Sequence, residues 1–246
     1  MKSLSVCITT HNNLEYLKLS IHSLKKHSSL DNQILIYADG CNDGTLNWLK
    51  TSNLPFSFNR YWEGIYTGWN MTSGRAACPY MILFSDDMVV SPDWDVNLLK
   101  WFEGQNWVVV PRLVEPDAGS YPPPFDCGRD PEGFDEAKFV EYAKSISSAT
   151  LRGHTFGAYC MLTETFRSVG GFDTRFNPSG VGSLDLALKL RTRFPDIPFF
   201  EARNVIFYHF QSKARNKIPN REVLEEESVR KFIEKWGFGP SYERLN

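Results

Sequence analysis

The run Tyr-Met-Ile-Leu-Phe-Ser-Asp-Asp-Met, residues 80–88, places the strongest constraint on this chain. Tyr80 to Ser85 is a short, mostly apolar stretch, and a stretch of that length reads as a buried strand. It ends abruptly in two adjacent carboxylates, Asp86 and Asp87. Neighbouring acids repel each other unless a cation or a donor-rich ligand compensates. In open α/β sheets the C-terminal edge of the strands is where ligands bind. The same pair also reads as a turn, leading to a helix that starts at Ser91-Pro92-Asp93.

Around this run the first 110 residues alternate strand and helix. Residues 4–10 form a strand, and Asn12 is placed to cap the helix that follows, with Glu15 three residues later. Leu14, Leu17, Ile21 and Leu24 mark one face of that helix. Residues 33–38 give a second strand, and Asp43 caps a short helix carrying Leu46 and Leu49. A strand over 56–62 and a helix over 66–76 lead into the strand at 80–85. This order predicts an α/β, Rossmann-like single domain, with a mostly parallel central sheet, right-handed crossovers and flanking helices.

The pattern changes after a strand at 106–111. Residues 111–134 are rich in Pro and Gly, including Pro122-Pro123-Pro124. That excursion is too long for a plain connector and reads as a functional loop. A helix over 135–147, strands over 157–162 and 204–210, a helix over 183–193 and an amphipathic helix over 220–236 complete the chain. The expected division is a ligand-binding half, 1–110, a second half of the same domain, 111–219, and a C-terminal helix and tail, 220–246.

The 246 residues are 42% hydrophobic, with 18 Phe, 10 Tyr and 7 Trp, enough for one large core and against disorder. Trp62, Trp69, Trp94, Trp101 and Trp107 read mostly as core. A net charge of -2 offers no global field for nucleic acid. Cys7, Cys41, Cys78, Cys127 and Cys160 lack CxxC spacing, which argues for reduced thiols rather than disulfides or zinc. The apolar part of the N-terminus is too short for a signal peptide, and no apolar run reaches the length of a membrane span. The expectation is a cytoplasmic protein, with membrane contact at most peripheral.

In a parallel sheet the strand ends Thr9-Thr10-His11-Asn12, Asp39-Gly40 and Asp86-Asp87 lie side by side. Such a crevice of hydroxyls and carboxylates suits a nucleoside-diphosphate compound. A carboxylate accepts from base N–H or ribose hydroxyl groups, and an acid pair holds a hard divalent cation, Mn²⁺ or Mg²⁺. Competing motifs fail on spacing. Cys41 and Lys50 fall on ligand positions of a calcium loop opened by Asp39, and neither GxGxxG nor GxxxxGK[ST] is present. Asp39 before Gly40 also reads as a turn residue. His209, between Tyr208 and Phe210, reads equally as a structural histidine or a ligand; His11 and His154 read mostly as structural, with lining of the crevice the alternative for either. Lys213, Arg215, Lys217 and Arg221 form a solvated patch or meet an acceptor phosphate or an anionic membrane surface.

The segments LSVCITTHNNLEYLKLSIHSL, ILIYADGCNDGT, EGIYTGWN, YMILFSDDMVVSPDW, GGFDTRF, LDLALKL and FYHF occur in this order over residues 3 to 211. Together they resemble the inverting, family-2-like glycosyltransferases of the GT-A fold. The resemblance implies a metal-dependent transferase moving a sugar from a nucleotide-diphosphate donor, a UDP-sugar, to a glycan, lipid-linked or protein acceptor. It implies that Thr9 lines the base pocket, that Asp39 accepts from the base, and that Asp86 lies near the ribose. Asp87 and His209 would ligate Mn²⁺ or Mg²⁺, and Arg75 would reach the diphosphate. Three departures stand out. Ala38 replaces the first acid after the second strand, Ser85 replaces the first acid of Asp-x-Asp, and Gly182-Ser183 occupies the acidic pair that carries the general base. Either Asp185 takes the general-base role, another residue supplies it, or transfer is slow or absent; Asp185 also reads as a plain surface acid of its helix. The alternatives are a nucleotide- or glycan-binding module of the same fold, impaired in catalysis, and a sugar nucleotidyltransferase. The latter is disfavoured because residues 10–17 lack a Gly-rich, basic loop.

Overall fold

β1 (Leu4–Thr10) is buried along its whole length. Leu4, Val6 and Ile8 enter one core while Cys7 enters the other, because side chains alternate across a strand. A strand buried on both faces needs a neighbour at each edge. The chain supplies β2 (Gln33–Asp39) and β4 (Tyr80–Ser85), both parallel to β1. The structure, a computed structural model, describes residues 3–117, 123–153, 158–211, 218 and 220–241.

Between these strands lie α1 (Leu14–His27), α2 (Thr45–Thr51), edge strand β3 (Phe56–Asn59) and α3 (Ile65–Gly74). Leu17, Ile21 and Leu24 of α1 cover one face of the sheet, and Tyr66 of α3 the other. Then follow β5 (Met88–Val90), α4 (Trp94–Leu99), β6 (Val108–Val114), α5 (Glu136–Ile146), β7 (Leu151–Gly153), β8 (Cys160–Leu162), α6 (Thr163–Ser168), α7 (Val181–Arg193), β9 (Phe199–His209) and α8 (Arg221–Trp236). The strand order is β3-β2-β1-β4-β8-β6-β9-β5, with β7 also on β9.

The expected mostly parallel sheet is mixed. β1 to β4 are parallel, and β6 runs parallel to β9, but β8 is antiparallel to β4 and β6, and β5 and β7 are antiparallel to β9. The βαβ alternation that dictates parallel pairing ends at β4. The third strand stops at Asn59 instead of residue 62, because the chain then leaves the sheet to bring the Glu63 and Gly64 amides to Asp39.

Capping also differs from expectation. Asn12 does not cap α1; its Oδ1 accepts the Asn42 N–H at 2.7 Å. Asp43 serves both helices, since Oδ2 accepts the Leu14 N–H at 3.0 Å and Oδ1 the Thr45 N–H at 3.2 Å. In the Pro/Gly-rich excursion β6 continues to Val114, and Phe125 stacks on Tyr142 with ring centroids 3.7 Å apart. Tyr121, His154, Lys213, Arg215 and Lys217 lie outside the described residues. All five cysteines are free thiols, and burial pushes the Cys7 thiol up to about 12. Among the described residues no helix is long and apolar enough to cross a membrane.

Candidate active site

The C-terminal ends of β1, β2 and β4 open into one cleft of about 200 Å³. Thr9, Asp39, Asp86, Asp87 and His209 all line it. The register that pairs Thr9 with both Tyr37 and Ser85 sets these strand ends level.

At one end stands Asp39. Its Oδ1 accepts the Glu63 N–H at 2.8 Å and its Oδ2 the Gly64 N–H at 2.7 Å. Each carboxylate oxygen keeps a second lone pair for a ligand. Burial raises the Asp39 pKa and the two amides oppose the rise, with the net shift upward. His11 Nδ1–H donates to the Asp39 carbonyl at 2.6 Å, and the His11 and Trp62 rings meet edge-on, 6.5 Å apart. Thr9 is pressed by α3. A Cβ on Gly68 would lie 2.3 Å from the Thr9 hydroxyl oxygen, so only glycine lets α3 sit this close to β1.

Asp86 and Asp87 turn to different partners, which answers their mutual repulsion. Asp86 Oδ1 accepts Asn13 Nδ2 at 3.1 Å, and its carbonyl accepts the Ser20 hydroxyl at 2.7 Å. Asp87 faces β9. Its carbonyl accepts the Phe210 N–H at 3.1 Å, and Oδ1 lies 3.5 Å from His209 Nε2. His209 Nδ1 is 2.7 Å from Glu115 Oε1. Burial opposes a charge on His209, but the Asp87 carboxylate and the hydrogen bonds to Asp87 and Glu115 outweigh it. The imidazole pKa is thereby raised to about 10.

Among the described residues no group of three or more His, Cys, Asp or Glu side chains is arranged to hold a metal ion. Asp87 and His209 Nε2 would be the donor pair for Mn²⁺ or Mg²⁺, a hard oxygen and an imidazole nitrogen that becomes a ligand only on giving up the proton its two carboxylate neighbours favour, so metal binding there would be coupled to proton release. Glu115 is placed to orient the imidazole through Nδ1, as carboxylates do behind metal-bound histidines.

The opposite wall is the start of α7, with Gly180 and Ser183 at the cleft. Tyr66 fills the space beside Gly182. A Cβ on Gly182 would lie 2.2 Å from the Tyr66 ring, and the Tyr66 hydroxyl donates to the Ser179 carbonyl at 2.7 Å.

Two of the expected site residues are not brought to the cleft. Asp185 lies on α7 and is fully buried, accepting Trp236 Nε1–H at 2.9 Å and lying 2.7 Å from Lys235 Nζ. Arg75 is exposed at the C-terminal end of α3, six residues, or about 9 Å, beyond Trp69, the last residue of α3 at the cleft. Conversely, His11, Trp62, Trp69 and Tyr66 line the cleft, although sequence reasoning took the histidine and the tryptophans mostly as structural. Glu115 carried no sequence signal, since it lies in the Pro/Gly-rich excursion and meets His209 only through the pairing of β6 with β9.

The family model described as glycosyl transferase family 2 matches residues 5–147, which hold Thr9, Asp39, Asp86 and Asp87. The chain belongs to glycosyl transferase family 2. The fold agrees. A crystal structure of GalNAc-T7 with UDP, GalNAc and Mn²⁺ superposes at a TM-score of 0.65, with 16% identity, over 85% of this chain. The chain spans 44% of that longer protein. Residues 1–349 of S. aureus TarS superpose at a TM-score of 0.62, with 13% identity, over 95% of this chain and 72% of that one. These structures place the family 2 chain in the GT-A fold. No curated protein matches it in sequence.

Proposed function

We propose that this family 2 chain transfers a sugar from a nucleoside-diphosphate donor, a UDP-sugar, to a hydroxyl of a glycan, lipid-linked or protein acceptor, in one inverting displacement. The observation that carries the reading is the convergence of Thr9, Asp39, Asp86, Asp87 and His209 on one cleft. Asp39, fixed by two amides, keeps lone pairs for a pyrimidine N–H. Thr9 lines the base end, and Asp86, oriented by Asn13, lies within the cleft where a ribose would follow. Asp87 and His209 would hold Mn²⁺ or Mg²⁺, which neutralises the diphosphate leaving group when bound. Arg75 stands too far along α3 to serve the diphosphate, and we read Asp185 as an anchor for α8. Residues 1–110 supply the donor side, and the α7 wall faces the acceptor side. That the GalNAc-T7 crystals contained UDP, GalNAc and Mn²⁺ supports this choice of donor and ion.

A second reading, a nucleotide- or glycan-binding module without turnover, is favoured by the Tyr66 ring beside Gly182, which leaves no acid on the α7 wall among the described residues. Thermal shift with UDP, GDP, CDP and dTDP, each with and without Mn²⁺, followed by turnover of the matching sugar nucleotides, separates the two. Mn²⁺-dependent stabilisation by UDP with donor turnover supports the transferase. Stabilisation without turnover across an acceptor panel supports the module, and no nucleotide response rejects the reading of the cleft as a nucleotide-sugar pocket.

A further inference from the structure

The base end of the cleft is held together by a side chain from the loop before α7. Asn177 Oδ1 accepts the Tyr66 N–H at 3.0 Å, and its Nδ2 donates to the Glu63 carbonyl at 2.9 Å. Between these partners Gly64, at φ +95°, passes so close that a Cβ would lie 2.3 Å from Asn177 Cγ. The segment gripped in this way is the one whose Glu63 and Gly64 amides donate to Asp39. Gly64 begins α3 but has no side chain to cap it, so Asn177 satisfies an amide of the first turn that would otherwise lack an intrahelical partner. On its far side the Asn177 carbonyl accepts the hydroxyl of Ser228 in α8 at 3.4 Å. Asn177 is not among the residues lining the cleft, whereas Asp39 is.

We propose that Asn177 is a positioning residue for nucleobase recognition, fixing the Glu63–Gly64 amides that aim the Asp39 carboxylate. The assignment rests on the reading of Asp39 as the base acceptor. The chemistry requires an amide here. Tyr66 N–H needs an acceptor and the Glu63 carbonyl needs a donor, and the Asn amide offers the two on separate atoms, one turned to each partner. Aspartate keeps the first contact and places a carboxylate against a carbonyl. Alanine loses both and leaves the segment free to drift from Asp39. The diphosphate end, at Asp87 and His209, does not depend on this link.

The test compares a ligand with a base and a ligand without one. UDP and inorganic pyrophosphate, each with Mn²⁺, are titrated calorimetrically into the wild-type chain and into Asn177→Ala, Asn177→Asp and Gly64→Ala, with thermal melts establishing that each is folded. The expected result is a loss of about tenfold in UDP affinity in the variants, with pyrophosphate affinity held within about twofold. Asn177→Asp, isosteric with the native residue, carries the test if the alanine variant does not fold. Equal UDP affinity in wild type and a folded Asn177 variant overturns the assignment, as does a parallel loss for UDP and pyrophosphate. A wild-type chain that binds pyrophosphate but not UDP overturns the proposed donor together with Asn177. A wild-type chain that binds UDP while the variants do so equally overturns Asn177 alone.

Discussion

Lys235 of α8 places its ammonium 2.7 Å from the carboxylate of Asp185, a fully buried acid on α7. Removing one partner of a buried pair leaves an uncompensated charge, which costs about 3 kcal/mol or more. Lys189, 4.0 Å from the other carboxylate oxygen, and the Trp236 donor remain in Lys235→Ala, so its stability is expected to fall by less than about 3 kcal/mol, as read from urea unfolding. Asp185→Asn keeps an acceptor for Trp236 and is expected to leave donor turnover per folded molecule within about threefold of wild type. A loss of a hundredfold or more in a folded Asp185→Asn chain would make Asp185 the base after all.

The same lysine reaches Asp173, 3.0 Å away, and Arg175 also pairs with Asp173. Hydrogen bonds from Arg175 outweigh burial and, with Lys235, hold the Asp173 carboxyl well below the usual carboxylate range. A depressed folded-state pKa contributes stability that is fully present above the unfolded value, about 4, and lost as pH falls through the folded value. Melting temperature should therefore decline below about pH 4, and the decline should flatten in Asp173→Asn. Melts of both chains between pH 2 and 7 check this.

Glu115 sits behind His209, on the nitrogen turned away from Asp87. If Asp87 and His209 hold the cation, Glu115→Gln should weaken Mn²⁺ binding by about 10- to 100-fold through loss of imidazole orientation. Asp87→Ala should abolish Mn²⁺-dependent stabilisation by UDP. Titration of Mn²⁺ in the presence of UDP reads both, and unchanged affinity in Asp87→Ala rules out this ion site.

The contact of α3 with β1 has no slack. Gly68→Ala would drive a methyl into Thr9, and overpacking of this kind costs about 1–3 kcal/mol. The variant should melt at lower temperature and, because Thr9 lines the cleft, bind UDP more weakly. A thermal melt with and without UDP measures both effects.

The strand ends were legible because periodicity and charge coincide in them. An apolar run that stops at Asp86-Asp87, and another that stops at Asp39, fix where acids sit once the strands are parallel. What was hidden depends on long-range pairing. β5 joins β9, which brings Asp87 to His209, and β6 joins β9 on its other side, which brings Glu115 to the same imidazole. Asp185 shows the limit of the resemblance. It was the acid left beside the position of the family's acidic pair, but the helix turns it toward Lys235 and Trp236. Trp62 could not be told from a core aromatic until the loop after β3 folded over the cleft, whereas His11 already stood at a strand end.

The ring of Tyr66 beside Gly182 makes the order of substitutions matter. A carboxylate introduced at 182 meets that ring before it meets any acceptor, so the change is harmful by itself. Shrinking Tyr66 first gives up its stacking on Phe172 and its bond to Ser179, a loss with no immediate return. At position 182 only the two changes together put an acid on this wall. Positions 66 and 182 therefore show sign epistasis, and a library that samples them one at a time will find neither.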